Sequence, residues 1–457
     1  MSTPEDRSDS NRRPPIGWSG GAVPYAYVPG RALARGDEAA RHVDRIMDRE
    51  HERRAIGGRE EAPEAEWTIL EGVEDSLPAI ALARADGFDV QPDHVFFAHG
   101  DDDCSCGPHP FWTYDALVAD PYRANPYRAN PYRANPYRAN PYRANPYRSN
   151  PYRSNPYEAI LQTSSAIPAT GREFPLRELD GPGRHPRIAV LDTGLAKGKQ
   201  LPDLLGSGDA AARISGDPDR PDSKLHGDAG ITWAKDNWLD PVAGHGTFIA
   251  GIIEQLAPGS TIHIQHAISG LGDAIESEVI QKILGLAALP DDERPHILSL
   301  SFGGTAQEQA PALRSAIRKA RLAGIVVVAS AGNDGTSEAQ YPAAYNGVIA
   351  VGALAPDGPT PWTNYGQWVD ACAPGADLVS SFFAKFDGPE PRINTVDPDK
   401  FEGWAIWSGT SFAGPVVVAA IAREMVVGAC SAKEAADRIV YAPSALRIRC
   451  LGTVVAA

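Results

Sequence analysis

From about residue 158 onward, short apolar runs alternate with longer amphipathic stretches. Ile188–Leu191, His296–Leu300, Ile325–Ala329 and Val348–Val351 are runs of four or five mostly apolar residues. They are too short for buried helices and lack polar alternation, which predicts strands covered on both faces. Between them, Thr247–Gln255, Glu278–Ala288 and Ala310–Ala323 carry apolar residues at helical spacing. Short strands alternating with helices predict an α/β fold: three layers around a mainly parallel central sheet.

The front of the chain has a different pattern. Residues 1–27 are polar and rich in Pro, Ser, Gly and Arg, and are expected to form a disordered tail. Residues 28–115 predict a small α+β unit with a βαβ-like pattern. Glu38–Ile56 has Val43, Ile46 and Met47 at helical spacing, and Trp67–Leu70 is a short apolar run. Ser76 stands as a cap for a helix carrying Leu77, Ile80 and Leu82, with Pro78 in its first turn and Gly87 past its end. Phe88–Val90 and His94–Ala98 then read as two strand pieces on either side of Pro92.

Residues 116–160 form a low-complexity repeat linker. PYRAN occurs five times in tandem from Pro121 to Asn145, followed by two copies of PYRSN. Proline every five residues favours a flexible or polyproline-like spacer, and it excludes a pentapeptide solenoid because its missing N–H would break each coil's ladder. Two other readings stand beside the spacer: a substrate of the chain itself, and a precursor of released peptides. The formal net charge is −15, and the stretch 121–155 holds seven arginines and no acid, so the rest of the chain carries −22. This balance argues against a nucleic-acid partner. No apolar run approaches the roughly 20 residues that span a bilayer, which argues against a membrane partner. The first residues lack the apolar stretch of a secretory leader, and five scattered cysteines make no disulfide framework, so a cytoplasmic protein is expected, with leaderless export left open.

Candidate chemistry is concentrated in residues 161–457. Ile188-Ala-Val-Leu-Asp192-Thr-Gly194 is an apolar strand ending in a carboxylate and a turn glycine. Gly244-His245-Gly246-Thr247 flanks an imidazole with glycines at the start of an apolar helix. Ser408-Gly409-Thr410-Ser411 sets a hydroxyl at the start of Val416–Met425, a stretch apolar nearly all round. A hydroxyl becomes a nucleophile only with a base in reach, and the base needs an orienting acid; Asp192, His245 and Ser411 supply all three. Each island alone has an ordinary reading as a strand end, a tight turn or a helix cap. A lone Asp-Thr-Gly is also the mark of aspartic peptidases, but those need two such carboxylates and the chain has one.

With these motifs in this order, the region from about 185 to 445 resembles the subtilisin-like (subtilase) serine peptidases. The resemblance implies a serine endopeptidase working through an acyl-enzyme, with Ser411 as nucleophile, His245 as general base and acid, and Asp192 holding the imidazole. It implies that Asn333, in Ala331-Gly-Asn333, donates its amide to an oxyanion together with the Ser411 backbone N–H. It also implies that Ser301, Phe302 and Gly303 pair with the substrate backbone. Gly87–Phe97 is similar to the end of a subtilase prodomain, which makes the chain's own N-terminal region an intramolecular inhibitor and substrate beside protein or peptide substrates. Asp334 is expected near the S1 rim, favouring Lys or Arg, with cleavage after Arg in the repeats. No organic cofactor is implied. Calcium is left open: Asp228, Asp236 and Asp240 cluster near the second motif but form no ligand series. Cys104 and Cys106, with His99 and His109 near, lack the paired spacing of a zinc site. The alternative function is a catalytically weak peptide-binding scaffold on a peptidase fold.

Overall fold

The computed structural model describes residues 16–19, 24–56, 67–73, 76–98, 179–219, 242–270, 272–356, 358–387, 400–401 and 403–456. The apolar runs of its C-terminal region form the middle of a parallel sheet. The strands are β6 (Arg187–Asp192), β7 (Ile214–Gly216), β8 (Thr261–His266), β10 (Ile297–Leu300), β12 (Val326–Ser330), β13 (Ile349–Ala355) and β14 (Ala371–Pro374). Their spatial order is β7-β8-β6-β10-β12-β13-β14, all parallel. Beyond β14, β18 (Gly452–Val454) adds in parallel and β17 (Arg447–Ile448) in antiparallel sense.

Successive residues of each strand point to opposite faces, and both faces are covered. On one, Ile188, Val190 and Val351 pack with α3 (His245–Leu256) and α6 (Thr410–Val427). On the other, Ala189, Leu191 and Leu298 pack with α4 (Glu276–Ala287) and α5 (Pro311–Leu322). The expected three-layer α/β arrangement is therefore present. α6 is long and apolar enough to cross a membrane, yet 78% of that stretch is buried inside the protein.

The N-terminal unit is a sheet of β2 (Ala26–Arg35), β3 (Glu52–Ile56), β4 (Trp67–Val73) and β5 (Val90–Ala98), with α1 (Gly36–Met47) and α2 (Ser76–Ala85). It departs from the βαβ-like expectation, because every pairing within it is antiparallel, in the order β5-β2-β4-β3. The stretch expected to be helical to Ile56 stops at Met47. Asp48 takes a left-handed conformation (φ 50°), and the charged Glu52–Ile56 becomes an edge strand with little apolar signal of its own. Ser76 is the first residue of α2 rather than its cap. Phe88 is no strand residue: its N–H returns to the Ala83 carbonyl at 3.0 Å, closing α2. β5 instead runs unbroken through Pro92. The missing donor is tolerated there because the β2–β5 register shifts between Tyr27 and Ala32, and neighbours on the other edge of β5 begin only at Val95. Nor is the tail wholly without order, since β1 (Gly17–Trp18) pairs with Tyr27–Ala26 and Trp18 stacks on Phe97.

Two strands of the C-terminal region complete this sheet. β11 (Phe302–Gly303) pairs antiparallel with Ala98–Phe97, and β9 (Asp273–Ile275) with Phe97–Val95. Ala32 and Ala34 face α1 and α2, whereas Leu33 and Ile69 face Val279, Ile280 and Ile283 of α4. Burial of each such Leu or Ile contributes about 1.5–3 kcal/mol.

The polar side of this junction is equally specific. Neither α4 nor α5 has a side-chain cap of its own. β5 supplies them: Asp93 accepts the N–H and hydroxyl of Ser277 at 3.0 and 2.9 Å, and Gln91 accepts the N–H of Ala312 at 3.0 Å. Glu276, fully buried, accepts from Gln91, from both the backbone and the ring of His94, and from Leu313 N–H. Desolvation pushes the Asp93 carboxyl from 3.8 up to about 6, with Arg31 opposing the rise and Glu276 adding to it. Folding thus binds this proton more tightly, so the stability contribution of Asp93 falls as pH rises from about 4 to 6. Urea denaturation across that window should show the wild type losing stability relative to Asp93→Asn; a gap independent of pH would contradict the assignment.

Candidate active site

β6 ends at Asp192, and the turn after it presses on the first turn of α3. Asp192 Oδ1 accepts the Thr193 N–H and the Nδ1–H of His245, both at 2.8 Å. The carbonyl of Asp192 is held from β8's end by the N–H groups of Ala267 and Ile268, at 2.7 and 3.1 Å. Glycine is required on both sides of this contact. A Cβ on Gly246 would lie 2.4 Å from the Gly194 carbonyl oxygen, and Gly194 itself has φ +113°.

Ser411 stands in the first turn of α6, where the helix dipole presents its positive end. Its hydroxyl donates to the Ser301 carbonyl at 3.2 Å, and the Ser301 hydroxyl donates back to the Ser411 carbonyl at 3.2 Å. Nε2 of His245 has no hydrogen-bond partner, so the serine–imidazole bond is not formed in this arrangement. The two elements are nonetheless adjacent: the rings of Phe412 and Trp407 lie 5.0 and 5.3 Å from the His245 ring. Asp192, His245 and Ser411 all have zero exposure.

Asn333 follows β12 in the Ala-Gly-Asn turn. Its Oδ1 accepts both the N–H and the hydroxyl of Thr410, at 3.0 and 2.9 Å. The donating end of this amide therefore points away from Thr410. Ser301 and Phe302 are buried, and Phe302–Gly303 forms β11 against β5. Asp334 accepts from the Asn364 amide at 3.4 Å, and desolvation raises its carboxyl above the ordinary value. Asp228, Asp236, Asp240, Cys104, Cys106, His99, His109 and the repeats lie outside the described residues. Among the described residues no group of three or more His, Cys, Asp or Glu could hold a metal ion.

Of the four candidate residues, the structure joins Asp192 to His245 directly; Ser411 is bonded to Ser301, and Asn333 to Thr410, the residue before Ser411. The Subtilase family profile matches residues 183–430. This chain belongs to the subtilase family. Among curated subtilases and related proteins, it is 31% identical over 260 residues to the intracellular serine protease of Paenibacillus polymyxa, covering 52% of this chain and 66% of that one. It is 30% identical over 255 residues to the major intracellular serine protease of Bacillus subtilis (strain 168), covering 52% and 68%. It is 34% identical over 195 residues to a thermophilic serine proteinase of Bacillus sp. (strain AK1), covering 40% and 43%. The chain therefore spans between 43% and 68% of the length of these relatives.

Thr410 and Thr193 lie inside the motifs, but their roles as supports were not read from the sequence; Asp219 gives no motif signal at all. The tight approach of the two turns has a direct consequence. Gly246→Ala should destabilise the chain by about 1–3 kcal/mol, because backbone must move to admit the methyl group. Gly285→Ala, on an open face of α4 with nothing within 4 Å of the new methyl, should be neutral or stabilising by up to about 1 kcal/mol. Denaturant unfolding of the two variants measures the contrast, and equal effects would contradict the close approach.

Proposed function

We propose that this subtilase is a serine endopeptidase held latent by its own N-terminal unit. The observation that carries the reading is the buried 2.8 Å contact between Asp192 and His245 Nδ1, with the open Nε2 near the first turn of α6. Asp192 holds the tautomer in which Nε2 can accept a proton. Rotation of the Ser411 side chain away from the Ser301 carbonyl brings its hydroxyl to Nε2. The imidazole then takes the hydroxyl proton as Oγ attacks a peptide carbonyl, and returns it to the leaving amine. Water repeats the sequence on the acyl-enzyme. Thr410 turns the Asn333 amide so that its N–H can meet the oxyanion with the Ser411 N–H, at the positive end of α6.

The same reading explains β5. A substrate strand that pairs with Phe302–Gly303 needs the edge that Phe97–Ala98 occupies, and β9 closes the opposite side. Such pairing supplies affinity through backbone bonds, with little sequence preference. The intact chain is then inhibited by its own N-terminal unit, and the complete burial of the triad agrees with a closed site. One observation favours the second reading, a weakly catalytic peptide-binding scaffold: the Ser411 hydroxyl is bonded to Ser301 rather than to His245.

A fluorophosphonate probe with intact-mass measurement separates the two. The wild type should label at Ser411, increasingly as the N-terminal unit is released, and should show masses absent from Ser411→Ala. Asn333→Ala should lower kcat by about 10²–10³. Wild-type protein that neither labels nor cleaves, with the N-terminal unit displaced, would leave only the scaffold reading.

A further inference from the structure

A second carboxylate braces the two turns that carry Asp192 and His245. Asp219 Oδ2 accepts the Thr193 hydroxyl at 2.7 Å and the Gly244 backbone N–H at 2.9 Å. Thr193 Oγ1 in turn accepts the Gly246 N–H at 3.1 Å. One carboxylate, 8% exposed, thus links the residue after Asp192 to both neighbours of His245. Gly244 has no side chain to cap α3, so these acceptors from outside the helix serve its first turn.

The backbone around Asp219 is fixed as well. Its N–H donates to the Leu195 carbonyl at 2.9 Å, and the Leu195 N–H donates to the Asp217 carbonyl at 2.8 Å. A Cβ on Gly194 would lie 2.8 Å from the Asp219 nitrogen. The turn after β6 is therefore wedged between the Pro218–Asp219 segment and α3.

We propose that Asp219 is a positioning residue: through Thr193 and Gly244 it sets the Asp192 turn against the first turn of α3, and so holds the His245 imidazole in line for Ser411. It touches no reacting atom. The inference rests on the peptidase reading above. Charged acceptors hold such donors roughly twice as strongly as neutral ones. A displacement of about 1 Å in reacting groups costs about 10²-fold in rate.

The test compares Asp219→Ala, Asp219→Asn, Thr193→Val and the double variant Asp219→Ala/Thr193→Val. Hydrolysis of a chromogenic peptide is expressed per fluorophosphonate-titrated site, so that misfolded protein does not count. Asp219→Ala should lower kcat about 10–100-fold with KM within about 2-fold. Asp219→Asn, whose carboxamide oxygen can accept both bonds, should recover to within about 5-fold of wild type. Adding Asp219→Ala to Thr193→Val should cost less than about 3-fold more, because the two share one link. Unchanged kcat per site in Asp219→Ala, an Asn variant as poor as the Ala variant, or losses that multiply in the double variant would each overturn the proposal. Should Asp219→Ala fail to fold, Thr193→Val decides alone: about 10-fold lower kcat supports the proposal, and unchanged kcat ends it. All variants are compared after release of the N-terminal unit, and a wild type that neither labels nor hydrolyses in that state refutes the peptidase reading itself, before any variant is made.

Discussion

The contact between two turns governs this molecule. The end of β6 and the start of α3 come so close that Gly246 has no room for a methyl group beside the Gly194 carbonyl. Only at that separation can a carboxylate at a strand end reach the ring of a residue that opens a helix. The parallel sheet provides the frame. It aligns the carboxyl ends of β6, β10 and β12 on one edge, where the candidate residues stand: Asp192 closes β6, Ser301 follows β10 and Asn333 follows β12. α6, buried against one face of the sheet, brings Thr410 and Ser411 to the same edge.

A second constraint acts on the other face. α4 and α5 begin without side-chain caps, and buried helix ends need their donors satisfied. Gln91 and Asp93 meet that need from a strand of the N-terminal unit, while Glu276 collects donors from both sides of the junction. Separating the unit would expose these groups to water together with the apolar surface around Leu33, Ile69 and Ile280. Polar capping and apolar packing therefore act in the same direction, and both hold the end of β5 on the edge of β11.

Much of this was legible along the chain. The strands Ile188–Leu191, Ile325–Ala329 and Val348–Val351 are uniformly apolar because both faces of a parallel sheet are covered, and the three motifs announce themselves by glycine and small residues packed around polar ones. Other features were not legible. Glu52–Ile56 is an edge strand made mostly of charged residues, so it carries no strand period. β5 crosses Pro92, which ordinarily ends a strand, because the ladder is locally irregular. Asp219 lies far along the chain from Thr193 and in a stretch of ordinary turn composition, so nothing local marks it.

What the sequence by itself determined was the alternation of strands and helices in the C-terminal region and the motifs that mark its family: backbone periodicity and local turn chemistry depend on neighbours within a few residues. What only the tertiary structure decided was their relations. These are the antiparallel order of the N-terminal sheet, the seating of β5 against β9 and β11, the Ser411–Ser301 hydroxyl exchange and the bracing of two turns by Asp219. Each joins residues distant along the chain through hydrogen bonds of about 3 Å, and such distances exist only once the sheet and helices have packed.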